Sequence, residues 1–234
     1  MIYSIVICTA VLAIISYLCG SVNFAIIFTR HYANTDVREH GSGNAGMTNV
    51  LRTAGKKPAI LTFICDFLKG AVTAAIGKYL LLIVVKNVFG QNLDGIIDPL
   101  YFAYLAGLFC IVGHIFPLYF SFKGGKGVAT LAGIFLIVDW RVLIIALSTF
   151  GILLAITKIV SISSIIAAIS LPISTFFLYN SNTAYTFRLF GLSQKSAIVV
   201  WAALFSLIVV ISHRANIGRL IRGEEKRISS KKEK

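Results

Sequence analysis

Apolar residues run through this chain in long blocks, separated by short clusters of glycine and polar residues. The blocks fall near residues 3–28, 58–84, 99–117, 126–138, 142–157, 160–180 and 196–212. The stretches 142–157 and 159–187 contain no Asp, Glu, Lys or Arg. A helix needs roughly 20 apolar residues to cross the hydrocarbon core of a bilayer. The pattern therefore predicts an all-α fold, a polytopic membrane helix bundle of about seven transmembrane helices. The fourth and fifth blocks are short for a full crossing, so five or six spans are also compatible with it. The first block is too long and continuous for a cleaved signal and is read as a span. No internal repeat is visible, so residues 1–234 are taken as one membrane domain, and an inverted-repeat transporter gains no support.

Composition removes the soluble alternative. The chain of 234 residues is 57% hydrophobic and 13% charged, with a mean hydropathy of +0.86. A soluble domain of this size would need about a quarter of its residues charged. Cys8, Cys19, Cys65 and Cys110 lie in apolar segments without paired ligand spacing, so they read as small packing residues rather than a metal site or disulfide framework.

Charge placement gives an orientation. There are 22 basic and 9 acidic residues, a formal net charge of +13. With seven spans, one set of loops holds Arg30, Arg38, Arg52, Lys56, Lys57, Lys123, Lys126, Lys158 and the tail. The other set holds Lys86, Arg141, Arg188 and Lys195 beside Asp94, Asp98 and Asp139. The positive-inside rule then predicts an external N-terminus and a cytoplasmic C-terminus. The basic tail, from Arg214 to Lys234, lies next to a span and so points to anionic lipid rather than nucleic acid.

Three polar clusters fall on the predicted cytoplasmic side. The first is GSGNAGMTN over 41–49, followed by Arg52 and Gly55. Its glycines bring backbone N–H groups close to a ligand, and Arg52 offers a planar fork for phosphate oxygens; a flexible polar connector has the same composition. The second is HIFP over 114–117 with FKGGKGVAT over 122–130. Glycines and lysines at a helix start suit an anion, although lysines there also serve to fix topology. Gly127 stands where a nucleotide P-loop needs Ser or Thr, so a single phosphate fits better. The third is HRANIGR over 213–219, with Gly223 and Glu225 behind it. In a helix, His213, Asn216 and Arg219 would share a face; a juxtamembrane basic anchor is the alternative, but it needs neither His nor Asn.

Asp66 and Lys69 lie inside the second block, where an unpaired charge costs on the order of 2.5–3.5 kcal/mol. Their spacing permits an ion pair that organises the site. His31 and Asp36 form an H-x₄-D string like that of a large unrelated acyltransferase family, but its companion motifs are missing and the string is set aside.

Taken together, the strings GSGNAGMTNVLRTAGKKPA…DFLKG, GHIFPLYFSFKGGKGVAT and HRANIGRLIRGEE resemble the bacterial membrane family of acyl-phosphate:glycerol-3-phosphate acyltransferases, the PlsY family. They occur in family order along nearly the whole chain. Gly20-Ser-Val-Asn23 also fits, whereas Met47 is larger than is usual there and the segments near 86–98 and 180–195 are long.

The resemblance implies an enzyme of the bacterial cytoplasmic membrane, with its site on the cytoplasmic side. It would transfer a fatty acyl group from acyl phosphate to the 1-hydroxyl of glycerol 3-phosphate, giving lysophosphatidic acid and phosphate. Ser42, Arg52, Lys126, His213 and Asn216 would surround the reacting acyl phosphate. Gly41, Gly43, Asn44, Gly46, Thr48, Asn49, Gly124, Gly125, Gly127, Thr130, His114 and Lys123 would shape the phosphate sites. Asp66, Lys69, Arg219 and Glu225 would support them. Acyl phosphate is already activated, so transfer is expected to be direct, without cofactor or acyl-enzyme. The base is His213 or the donor phosphate, and the resemblance leans to the latter. Membrane lipid is the expected partner and a soluble acyl-phosphate-producing enzyme a candidate one, with its docking on the basic tail left open. The competing class, a transporter for a phosphorylated small solute, should carry charges or broken helices at mid-membrane with access from both sides.

Overall fold

The structure is a computed structural model that describes residues 2–90, 97–179 and 193–228. Within them it is all-helical, with eleven α-helices, short 3₁₀ and π segments and no strand. Six stretches are long and apolar enough to cross a membrane: Tyr3–Ala33, Lys56–Phe89, Pro99–Phe120, Trp140–Thr157, Val160–Leu178 and Gln194–Ser212. The described chain divides into two compact units, residues 2–138 and 139–228.

The first unit begins with α1 (Ile2–Ser21) and α2 (Phe24–Ala33), which share one apolar block. The block breaks at Val22 and Asn23, where the extended Asn23 caps α2 by accepting the Ile26 N–H at 3.1 Å. A short helix α3 (Met47–Thr53) precedes α4 (Lys56–Ala75). A π segment (Ile76–Leu80) carries α4 into α5 (Leu81–Phe89). This 34-residue rod is about 51 Å long at 1.5 Å per residue, so it tilts in, or projects from, a core about 30 Å thick. Next come α6 (Pro99–Ile115), capped by Asp98, and α7 (Val128–Val138).

Glycines set the closest helix contacts in this unit. A Cβ on Gly20 would strike the Cys110 carbonyl, and one on Gly113 the Tyr17 carbonyl, so α1 and α6 meet backbone to backbone. Gly70 and Gly133 do the same for α4 and α7, against the carbonyls of Thr130 and Phe67. Small residues at helix crossings are what packing in lipid requires, because water supplies no hydrophobic drive there. The partition of side chains agrees. Val6, Ile7, Val11, Ile14 and Ile15 of α1 face outward, while Thr62, Asp66, Lys69 and Thr73 of α4 are buried.

The second unit holds α8 (Trp140–Thr157), α9 (Val160–Leu178), α10 (Gln194–Ser212) and α11 (Arg214–Ile221). Helix α9 packs on both α8 and α10. Asp139 caps α8 by accepting the Arg141 N–H at 3.0 Å. Beyond α11 the chain folds back, and the Ile228 N–H donates to the Lys158 carbonyl at 2.7 Å.

The helices follow the apolar blocks to within a few residues, apart from the first, which breaks at Val22 and Asn23 and runs on to Ala33, and two others. The second block continues to Phe89. The fourth yields only the 11-residue α7, about 16 Å long and roughly half the thickness of a bilayer core. Asp94, Arg188 and the last basic residues, Lys231, Lys232 and Lys234, fall outside the described residues.

Candidate active site

The first polar cluster is a loop built around Asn49. Its buried side-chain amide donates to the Val37 carbonyl at 2.8 Å and the His40 carbonyl at 2.9 Å, and its Oδ1 accepts the Ser42 N–H at 3.0 Å. Gly41 lies in the left-handed region at φ +61°, and a Cβ there would run into Asn49 Oδ1. Gly43 is left-handed as well, and Gly46 starts α3. Asn49 is therefore committed to the loop's shape. Asn44 and Thr48 are half-buried beside it. Ser42 and Arg52 are exposed, and their side chains have no hydrogen-bond or ionic partner among the described residues.

Just upstream, Asp36 caps a 3₁₀ turn and holds Arg38 in a two-point contact, Nε–Oδ1 at 3.0 Å and Nη2–Oδ2 at 2.8 Å. Arg30 adds a third contact at 2.9 Å. The Arg38 hydrogen bonds, opposed only in part by burial and reinforced by the Arg30 hydrogen bond and the Arg38 charge, hold the Asp36 carboxyl well below the usual carboxylate range. The His31 ring lies edge-on to Tyr32 instead. The H-x₄-D string thus contributes a clamp through Asp36, and His31 takes no part in it.

The second cluster contacts the first. Arg38 Nη1 donates to the Phe120 carbonyl at 2.8 Å and the Lys123 carbonyl at 3.4 Å. Between these two carbonyls stand Ser121 and Phe122, both non-glycine and both left-handed, at φ +57° and +58°. Such conformations cost about 1–3 kcal/mol each and persist only where surrounding contacts impose them. The chain then passes beneath His114, with the Gly124 N–H on the Ile115 carbonyl at 3.0 Å and the Gly125 N–H on the His114 carbonyl at 3.1 Å. A Cβ on Gly125 would strike His114 Nε2 and press on the Ala45 carbonyl of the first loop. The N–H groups of Gly124 and Gly125 are thereby used internally. Their contribution is close passage, and Gly127, buried and left-handed against Ile111, leads directly into α7. Lys123 is exposed, Lys126 is half-buried and Thr130 is buried.

Beneath these loops lies the buried ion pair that the spacing of Asp66 and Lys69 permits, 2.8 Å apart and 3% and 5% exposed. Lys69 also donates to the Val22 carbonyl at 2.8 Å, at the break between α1 and α2. It stands over the Phe24 ring at 5.6 Å. A helix end leaves carbonyls without partners, and Lys69 supplies one. His114 Nδ1 lies 3.5 Å from Asp66. All three side chains are buried, and the His114 ring lies directly against Gly125 of the second loop.

In the second unit, Glu225 gathers the third cluster. Its Oε1 accepts from Ser161 Oγ at 2.9 Å and Asn216 Nδ2 at 2.5 Å, and its Oε2 accepts from Arg219 Nε at 2.6 Å. Burial pushes the Glu225 carboxyl up, but these three donors and the Arg219 charge outweigh it and hold it below the usual range. Of the three residues expected to share a face, Asn216 and Arg219 turn toward this carboxylate. His213 is buried at the junction of α10 and α11, with Nδ1 2.8 Å from the Val209 carbonyl. A carbonyl only accepts, so Nδ1 carries the proton and Nε2 is the basic nitrogen of the neutral ring.

Sequence reasoning missed Arg38 as a link between loops, and it missed Ser161. The close Asp36-x-Arg38 spacing could have signalled the first. A serine in the first turn of an apolar helix gives no such signal.

Known proteins match nearly the whole chain. Residues 10–223 match the family described as glycerol-3-phosphate acyltransferase. A glycerol-3-phosphate acyltransferase of Bartonella henselae is 39% identical over 222 residues, covering 95% of this chain and 92% of its own. One from Prochlorococcus marinus is 40% identical over 215 residues, covering 92% and 95%. The crystal structure of PlsY (YgiH), an integral membrane glycerol 3-phosphate acyltransferase, in its glycerol 3-phosphate form has a TM-score of 0.74 at 32% identity, covering 95% of this chain and 96% of that one. Its lysophosphatidic acid form gives 0.71. With the family's strings in order on a helical membrane frame, this chain belongs to the glycerol-3-phosphate acyltransferase family.

Proposed function

We propose that this protein transfers a fatty acyl group from acyl phosphate to the 1-hydroxyl of glycerol 3-phosphate, releasing lysophosphatidic acid and inorganic phosphate. One observation carries the reading. In the two joined loops of the first unit, the groups that shape the backbone are satisfied internally, while Ser42 and Arg52 stand exposed without partners among the described residues. A hydroxyl and a guanidinium held out on a braced glycine-rich frame suit phosphate oxygens. The glycerol 3-phosphate and lysophosphatidic acid forms of the similar PlsY fit this substrate and product.

Both substrates are anions. Two unit charges 5 Å apart repel by roughly 3 kcal/mol at an effective dielectric constant of about 20. Arg52, Lys126 and Lys123 or Arg219 offset that repulsion. Ser42 positions the donor phosphate, with Asn44, Thr48 and the glycine backbone around it. The glycerol hydroxyl attacks the acyl carbonyl carbon, the bond from that carbon to the bridging phosphate oxygen breaks, and inorganic phosphate leaves. The departing phosphate takes the hydroxyl proton, with His213 Nε2 as the alternative base. The Ser42 hydroxyl makes no hydrogen bond to a base among the described residues, which suits direct transfer without an acyl-enzyme. Glu225, itself an anion, acts by holding Asn216 and Arg219 rather than by touching a phosphate.

The basic loops support a site on the cytoplasmic face of a bacterial inner membrane, with the N-terminus outside if α7 counts as a crossing. A soluble acyl-phosphate-producing enzyme is the partner that the basic tail would receive.

Ser42→Ala and Arg52→Ala should each lower turnover at least 100-fold while the protein still inserts and purifies normally. His213→Gln should retain measurable activity. Full turnover by Ser42→Ala would remove the first loop from the site, and complete loss in His213→Gln with substrate binding intact would make histidine the base.

A further inference from the structure

The strained turn at 120–123 offers the clearest feature that the reaction itself does not use. Ser121 and Phe122 hold consecutive left-handed conformations without being glycine. Phe122 is 55% exposed, so its side chain is not what imposes the shape. Inside the turn, the Phe122 N–H donates to the Pro117 carbonyl at 3.0 Å and the Lys123 N–H to the Phe120 carbonyl at 3.3 Å. From outside, the Phe120 side chain packs on the cluster around Ile26, Val37 and Val50, and Arg38 supplies the hydrogen bonds: its Nη1 donates to the carbonyls of Phe120 and Lys123, one on each side of the strained pair. Arg38 is itself fixed on Asp36 through Nε and Nη2, and Asp36 is held in turn by Arg30.

We infer that Arg38 is a positioning residue: clamped on Asp36, it pins the strained Ser121–Phe122 turn and so sets the path of the lysine loop over 123–127. The inference rests on the reading that this loop faces phosphate. Three features of the guanidinium suit the task. Its planar fork meets a carboxylate at two points, it keeps another nitrogen to bond carbonyls, and its charge does not titrate. A lysine would keep the charge but could not grip the carboxylate at two points and reach both carbonyls in the same fixed geometry.

The mechanism makes a specific prediction about strain. If Arg38 holds Ser121 in a conformation that this residue resists, a glycine at 121 reduces the need for the clamp, because glycine enters the left-handed region freely. Four proteins would be compared in detergent: the parent, Arg38→Lys, Ser121→Gly and the double variant. Lysophosphatidate formation and thermal unfolding would be followed in each. Arg38→Lys should lower kcat/KM at least tenfold, chiefly by raising KM for the phosphate-bearing substrates, while remaining monodisperse. Ser121→Gly should stay within threefold of the parent, and the double variant should regain at least threefold over Arg38→Lys. Parent-like kcat/KM in Arg38→Lys, or no gain from glycine in either activity or unfolding, would overturn the inference. A Lys126→Ala control separates the two levels. Full activity there would discard the phosphate reading of the loop, whereas the effect of glycine on unfolding would still report the clamp.

Discussion

Lys69 is a charge that a membrane interior would reject alone, and three contacts retain it: the Asp66 carboxylate, the Val22 carbonyl and the face of the Phe24 ring. The spacing of Asp66 and Lys69 foretold their pairing. It could not foretell Val22, because nothing local ties residue 69 to a helix break 47 positions upstream. Removing the cation alone leaves Asp66 buried without its partner, a loss of about 3–5 kcal/mol in comparable settings. Lys69→Met should therefore lower the unfolding temperature in detergent sharply, and Lys69→Met with Asp66→Asn should recover part of the loss. Equal melting of the single variant and the parent would show that the pair carries no stability. Asn49 makes a related point. It reads in sequence as one more neutral donor beside a phosphate, yet its amide is taken up by Val37, His40 and Ser42. Sequence marks which residues belong to such a loop, but not which of them face outward.

At the level of elements, the apolar blocks located the helices because a long apolar segment can satisfy its own backbone groups in lipid only as a helix. The blocks hid their own interruptions. Val22 and Asn23 break the first block without a proline or a charge, and α3 forms inside a glycine-rich stretch that reads as loop. The glycines were legible as turn formers in the polar clusters. Those inside helices serve another purpose, which only packing reveals. Gly133 is the test case, since a Cβ there meets the Phe67 carbonyl and would push α7 away from α4. Because α7 begins directly after the lysine loop, Gly133→Leu should both destabilise the fold, by about 1–3 kcal/mol, and reduce activity. Gly151→Leu, at a position with open space around it, should do neither. Equal behaviour of the two variants would mean that the α4–α7 crossing can relax without cost.

For the whole molecule, the signal is surface: many aliphatic side chains face outward, and serines, threonines and a salt bridge join the apolar residues inside. The apolar blocks and the basic loops were readable from composition and spacing. The chemistry was not, because glycine, lysine and arginine loops suit any phosphate. The step from anion site to acyl transfer came through the family's strings, and membership of the glycerol-3-phosphate acyltransferases now supports it. The acyl donor is the central claim of the proposed function. Its most direct test supplies the purified protein, in detergent or lipid, with glycerol 3-phosphate and either acyl phosphate or acyl-CoA. Lysophosphatidate should form from acyl phosphate alone, with one phosphate released per product. Product from acyl-CoA alone, or from neither donor, would contradict it.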